Sequence, residues 1–264
     1  MAYDTKPAPA ARAGLDVRRR YSAADVCVLT REEARRFVAQ GDGDPRTDTM
    51  LAWELLYRLE PELYDRLASA ERIHPGVVSW LPRDVDRIVE VGAGTGRLTM
   101  KLVERGRRVV AVEPALPLRR ILRRKLAAAG HGDRARVISG FFDQMPLPGD
   151  FADLVVACSA FTPAPEHGGE AGLAEMERVC KPGGCVALIW PNHLEWLASR
   201  GYRYVSFPGP MSVEFGSYGE AVELAEIFYP RAAEEIRRRG SRSIPFEMTG
   251  LNPPRDVSYK VLEV

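Results

Sequence analysis

The sequence predicts a doubly wound α/β fold: a mostly parallel, seven-stranded sheet behind a helical N-terminal cover. Three observations carry that prediction. An apolar strand at Ile88 to Val91 runs into a turn holding Gly92, Gly94 and Gly96 and then into a helix. From there, apolar strand-like runs alternate with amphipathic helical stretches, the pattern of a parallel sheet covered on both faces. A chain of 264 residues, 45% hydrophobic, is also long enough for one substantial core with a smaller appendage.

Three segments follow from the element pattern. Residues 1–83 form an N-terminal arm and helical cover, 84–195 the ligand-binding core, and 196–264 a C-terminal helix and edge hairpin that complete the sheet and the acceptor pocket. The Ala- and Pro-rich first 14 or so residues read as a loose arm. Helical spacing then runs from Thr30 to Gln40 and from Thr47 to about Ala70, with Leu51, Leu55, Leu56 and Leu59 on one face and Pro61 interrupting. A short helix at Pro75 to Leu81, entered at His74, leads into the first strand, Arg87 to Val91. The next helix is expected from Gly96 to Arg105, closed by Gly106, and the second strand from Arg108 to Val112. A helix with the stripe Leu118, Ile121, Leu122 and Leu126 ends at Gly130. Strands follow at Ala135 to Ser139 and Phe151 to Cys158, a helix at Gly172 to Cys180, and a fifth strand at Cys185 to Trp190. A single helix from Tyr218 to Arg239 precedes two strand-like runs, Ser243 to Met248 and Val257 to Val264. These are expected to form an antiparallel hairpin about Asn252-Pro253-Pro254.

Composition narrows the function. With 37 Lys and Arg against 36 Asp and Glu, the net charge of +1 supplies no broad field for a polyanion, and nucleic acid is not an expected partner. Cys27, Cys158, Cys180 and Cys185 lack paired C-x-x-C spacing, so a reducing compartment and no metal site are expected. No apolar run reaches membrane-spanning length and none resembles a signal peptide, so a cytoplasmic location without membrane attachment is expected.

The glycine turn is the centre of the functional reading. Glycines at alternate positions let a backbone press against a ligand where a Cβ would collide. Arg97 stands where the dinucleotide fingerprint G-x-G-x-x-G needs its third glycine. The ligand that fits lacks a pyrophosphate and lies across the turn, with a charged amino-acid end near Glu90. Glu113, ending the second strand 17 residues past Gly96, suits a ribose diol.

The stretch Glu90-Val-Gly-Ala-Gly-Thr-Gly96 resembles motif I of the class I S-adenosylmethionine-dependent methyltransferases, and the resemblance extends in order over residues 84 to 192. Gly140-Phe141-Phe142-Asp143 is similar to the G-x-F-E version of the adenine-binding segment. Glu175 to Gly184 resembles the helix and turn before strand five. The resemblance implies a Rossmann-like methyltransferase fold, S-adenosylmethionine as cofactor and S-adenosylhomocysteine as product. It implies cofactor binding by Glu90, Gly92, Ala93, Gly94, Gly96, Glu113, Pro114, Phe142, Asp143 and Cys158. Glu90 steadies the methionine end, Glu113 the ribose, Asp143 the adenine amino group, and Phe142 packs on the ring.

The implied reaction is methyl transfer to an O or N atom of a small-molecule acceptor. The small-molecule branch often carries Ala-Phe-His-Trp after strand four, where this chain has Ala160-Phe161-Thr162-Pro163. No base is therefore assigned; His167, Glu166 and His193 are the candidates. Tyr202, Tyr204, Phe207, Phe215 and Tyr218 are read either as acceptor-pocket lining or as ordinary packing. The Ala- and Arg-rich composition is associated with GC-rich bacterial genomes and so with secondary metabolism. Two alternatives stand beside this reading: an RNA adenine methyltransferase, whose Asn/Asp-(Pro/Leu)-Pro-Tyr segment would fall where Ser159-Ala160-Phe161-Thr162 stands, and a non-catalytic S-adenosylmethionine-binding protein. Acceptor identity and oligomeric state are not legible, and a homodimer stays open.

Overall fold

A computed structural model describes residues 16–38 and 42–264, so the expected loose arm falls outside the described residues. Two short 3-10 helices, Asp16–Arg20 and Ala23–Val28, precede helices α1 (Arg31–Phe37), α2 (Thr49–Leu59), α3 (Pro61–Ala70) and α4 (Pro75–Trp80). The Asp48 carboxylate caps α2 by accepting from the Met50 and Leu51 amides, and Pro61 opens α3 at a position where its missing N–H costs nothing. His74 caps α4, its Nδ1 accepting from the Gly76 amide at 3.0 Å.

The core then alternates β1 (Val85–Val91), α5 (Thr99–Leu102), β2 (Gly106–Val112), α6 (Leu116–Ala128), β3 (Ala135–Ile138), β4 (Ala152–Cys158), α7 (Gly169–Val179) and β5 (Cys180–Ile189). Beyond it lie α8 (Leu194–Ala198), β6 (Arg203–Ser206), β7 (Ser212–Glu214), α9 (Tyr218–Phe228), α10 (Pro230–Arg239), β8 (Ser243–Pro245) and β9 (Asp256–Val261). The main sheet has seven strands in the order β3-β2-β1-β4-β5-β9-β6, all parallel except β9, which runs antiparallel to both neighbours. Strand order reverses between β1 and β4, and a ligand at such a sheet sits at the carboxyl ends beside that point. One face of the sheet buries Ile88, Leu154, Val156 and Ile189 against α2 and the C-terminal helices; the other buries Val89, Val155 and Leu188 against α7. Among the described residues, no helix is long and apolar enough to cross a membrane.

Three expectations are corrected. Gly106 does not cap a helix: α5 is one short turn, and Gly106 begins β2, where a Cβ would stand 2.5 Å from Ile88 Cδ1. Its missing side chain lets β2 lie against β1. The long C-terminal helix is two helices, because Pro230 lacks the amide that would continue α9. The two final strand-like runs do not pair with each other. β8 pairs with β7 in a separate two-stranded sheet, while β9 enters the main sheet between β5 and β6. The aromatic group after strand five is dispersed: Tyr202 and Phe215 are buried, Tyr204 lies on β6, Phe207 stacks on His74, and Tyr218 is exposed.

Candidate active site

The glycine turn joins β1 to α5 directly above the end of β2, with the Gly92 and Ala93 amides both donating to the Val112 carbonyl at 2.9 and 3.0 Å. Gly92, Gly94 and Gly96 have φ of +70°, +56° and +97°. At Gly94 the constraint is twofold. Its conformation is left-handed, and an added Cβ would lie 3.2 Å from the Tyr64 hydroxyl on α3. The helical cover thus closes onto the turn through Tyr64.

Glu113 sits at the end of β2, buried, with Oε2 accepting from the Gly94 amide at 2.9 Å and Oε1 from the Ala115 amide at 2.8 Å. Burial raises its pKa, opposed by those two amides. Glu90, the penultimate residue of β1, is buried beneath the turn and accepts from Thr99 Oγ1 at 2.5 Å. Burial pushes its carboxyl up to about 8, against the pull of Thr99 and the Arg97 cation. Ala93 is buried in the turn, and the Pro114 carbonyl accepts from Arg119. Phe142 lies beside Gly92 and meets Phe161 edge-to-face at 5.0 Å.

Asp143, the expected adenine acid, is held by Arg36 of α1, whose Nη1 reaches both carboxylate oxygens at 2.7 and 2.9 Å while its guanidinium covers the Phe141 ring at 4.0 Å. The pair straps the N-terminal cover across the end of β3. A partly exposed ion pair of this kind is worth up to about 1 kcal/mol. If adenine competes for Asp143, Arg36→Ala is expected to tighten S-adenosylhomocysteine binding about 2- to 5-fold, measured by titration calorimetry. Unchanged affinity would remove Asp143 from the nucleoside contacts.

Of the expected bases, His193 is exposed and lines a narrow crevice with Ser159, Ala160, Trp190 and Trp196, on the β4–β5 side of the turn. His167 ends a short turn of 3-10 helix, where its carbonyl accepts from the Thr162 amide; the Glu166 side chain lies outside what is described. Among the described residues, no cluster of His, Cys, Asp or Glu is arranged to hold a metal.

Three features of the site escaped sequence reasoning. Ser159 and Trp190, which directly follow β4 and β5, have φ of +56° and +57°, a left-handed conformation that costs non-glycine residues about 1 to 3 kcal/mol. Only the excess of φ-permissive turn chemistry normally signals such positions in a sequence, and neither residue carries it. The second is a buried charge cluster over the end of β2: Arg58 bonds Glu33 at 2.7 Å and Glu54 at 2.6 Å, and burial pushes the Glu54 carboxyl up to about 7. The third is Arg97, which pairs with Glu71 Oε2 at 3.1 Å, faces the Trp190 ring at 5.3 Å and contacts Cys158 Sγ at 3.5 Å. Cys158 is buried at the end of β4, which raises its thiol pKa.

Among the described residues, the Thr95 hydroxyl in the turn is buried without a hydrogen-bond partner. An orphaned hydroxyl, left-handed glycines and two flanking acids, Glu90 and Glu113, provide what a nucleoside with a polar amino-acid tail requires. The residues present fit S-adenosylmethionine.

A family model described as a methyltransferase domain matches residues 88–184. An uncharacterized methyltransferase of Mycobacterium tuberculosis is 33% identical over 134 residues, 48% of this chain and 50% of that protein. Another from a Geobacillus strain is 39% identical over 97 residues, 36% of this chain and 43% of its own. The chain spans about half the length or less of the curated relatives it matches. A solved SAM-dependent methyltransferase from Aquifex aeolicus aligns over 60% of this chain and 94% of its own, at 20% identity and a TM-score of 0.47. The matched segment runs from β1 into β5 and holds the glycine turn, Glu113 and Asp143 in one continuous stretch. Residues 88–184 thus match a methyltransferase domain over the stretch that carries the glycine turn.

Proposed function

We propose that this protein transfers a methyl group from S-adenosylmethionine to an oxygen or nitrogen atom of a small-molecule acceptor. When bound, the cofactor supplies an activated methyl on a sulfonium, so the chain's task is to align an acceptor behind it and exclude water. Gly92, Gly94 and Gly96 give the backbone its close approach, Glu113 holds the ribose, and Glu90 steadies the methionine end. Asp143 reads the adenine once Arg36 releases it.

The observation that carries the small-molecule reading is the cover. Tyr64 closes on Gly94 and Arg36 on Asp143, so the cofactor face is roofed by the chain's own N-terminal helices rather than left as an open groove. A flipped base held by a polynucleotide needs an approach from outside. The segment after β4, Ser159-Ala160-Phe161-Thr162, also lacks the amide or carboxylate and the stacking tyrosine used to hold a target adenine.

Incubation with methyl-labelled S-adenosylmethionine and a metabolite extract tests the proposal. Label recovered in a low-molecular-weight product supports it. Label in RNA would transfer the assignment to a nucleic-acid enzyme, and binding without transfer would make the protein a sensor of the cofactor.

A further inference from the structure

Arg97 follows the last glycine of the turn, and its side chain comes back over the carboxyl end of β4. Its side chain is 14% exposed and that of Glu71 is 5% exposed. A guanidinium carries five N–H donors. Among the described residues, oxygen reaches only Nη1, from Glu71 Oε2 at 3.1 Å and the Glu71 carbonyl at 3.4 Å. Among the same residues, Nη2 meets the Cys158 sulfur, a weak acceptor, at 3.5 Å, and Nε meets no acceptor. The unfilled edge, Nε with Nη2, has the fork geometry that takes a carboxylate.

Glu71 is the complementary half. Its Oε1 is held by the hydroxyl of Tyr229, a buried residue at the junction of α9 and α10, and Oε2 faces Arg97. The pair is neutral as a unit. An acceptor bearing one charge would leave that charge uncompensated beside it, whereas a zwitterion adds one charge of each sign and keeps the balance.

Resting on the cofactor reading above, we propose that Arg97 and Glu71 form the subsite for the amino-acid end of S-adenosylmethionine. Arg97 takes the carboxylate on its free edge and Glu71 faces the ammonium. Tyr229 is a positioning residue that fixes Glu71 from the C-terminal helical pair. That pair also seals the cover, where Phe228 stacks on Trp53 at 5.8 Å. Trp190 forms a wall of the subsite, and its left-handed backbone is held by its indole N–H donating to the Asn252 carbonyl at 2.7 Å. Glu71 caps α3 of the cover, Arg97 lies in the core and Tyr229 in the C-terminal segment, so all three segments of the chain meet at the subsite.

Titration calorimetry on the full chain tests this with three probes: S-adenosylhomocysteine, its decarboxylated analogue, and methylthioadenosine, which lacks the whole amino-acid end. The wild-type protein is expected to prefer S-adenosylhomocysteine over the decarboxylated analogue by about 10- to 100-fold, the range of a charge-assisted hydrogen-bonded pair. Arg97→Met is expected to erase that preference while leaving methylthioadenosine affinity within about threefold. Glu71→Gln, nearly isosteric, is expected to weaken S-adenosylhomocysteine about tenfold and methylthioadenosine not at all. Circular dichroism checks folding, and if Arg97→Met fails to fold, Arg97→Lys is judged on the same comparison of carboxylated and decarboxylated probes. A variant that loses all three probes equally, or one that keeps full preference for the carboxylated probe, overturns the subsite. A wild-type protein that binds S-adenosylhomocysteine no better than methylthioadenosine overturns the subsite alone. One that binds neither nucleoside overturns the cofactor reading as well.

Discussion

Gly94→Val is expected to weaken S-adenosylhomocysteine binding at least about 100-fold, the largest loss any single substitution in the turn should produce. Gly94 has φ of +56°, and its added Cβ would point into the seam between the turn and α3, 3.2 Å from the Tyr64 hydroxyl and 3.4 Å from Tyr64 Cε1. A β-branched side chain there fills the space across which a nucleoside must lie against the backbone. It also disfavours the left-handed conformation by about 1 to 2 kcal/mol. That strain would swing the Gly94 amide away from Glu113 Oε2, its partner at 2.9 Å, and so disturb the acid proposed to hold the ribose. Thermal unfolding should show a fold that survives with reduced stability, and calorimetry should show the ligand lost. A folded Gly94→Val protein that binds S-adenosylhomocysteine with wild-type affinity would mean that the ligand does not run along this turn.

Stability should fall as pH rises from about 4.5 to about 8, and Glu90→Gln should flatten that fall. The sign follows from burial. The Glu90 carboxyl has its folded value raised to about 8 from an ordinary 4.5. Such a group adds stability that is complete below the unfolded value and is lost as pH climbs through the folded one, because the native state binds the proton more tightly. The interval corresponds to on the order of 5 kcal/mol. Glu54, raised to about 7, and Asp256, raised to about 6, act in the same direction, so the wild-type slope is the sum of several groups. Glutamine keeps the shape of Glu90 and a hydrogen-bonding partner for Thr99 but carries no titrating proton. Urea unfolding at pH 5 and pH 8.5 separates the cases: the variant should lose ground to wild type at the lower pH and gain at the higher. Parallel curves would show that Glu90 is not protonated in the folded protein. The same proton links stability to binding. The cofactor ammonium, which Glu71 faces, also favours the ionised form of Glu90 through its field, so S-adenosylhomocysteine binding near neutral pH should release a proton, visible as a dependence of the calorimetric heat on the buffer.

The parts of the fold that were legible are those built from adjacent residues. Strand β1, the glycine turn and the acid ending β2 occupy 26 consecutive positions, from Ile88 to Glu113, and their periodicity and glycine spacing are local properties. The stripe of Leu118, Ile121, Leu122 and Leu126 on α6 is likewise local, and all four side chains are buried. The C-terminal segment was misread where pairing is non-local. Strand β9 has the same alternating pattern whether it pairs with a neighbour in sequence or with β5, some 70 residues earlier, and nothing in its own residues distinguishes the two. Strand β6 went unrecognised because its half-exposed Arg203-Tyr-Val-Ser206 has no apolar run, as befits the outermost strand of the sheet.

By itself the sequence determined the class of fold, the glycine turn and the acids at the ends of β1 and β2, since each depends on backbone preference and on side chains a few positions apart. Only the tertiary structure decided what surrounds that turn. Arg36 reaches Asp143 across 107 residues, and Tyr229 reaches Glu71 across 158. Contacts at such separations leave no periodic trace in a single chain, because their energy comes from burial and charge pairing created only when the cover, the core and the C-terminal helices are packed together.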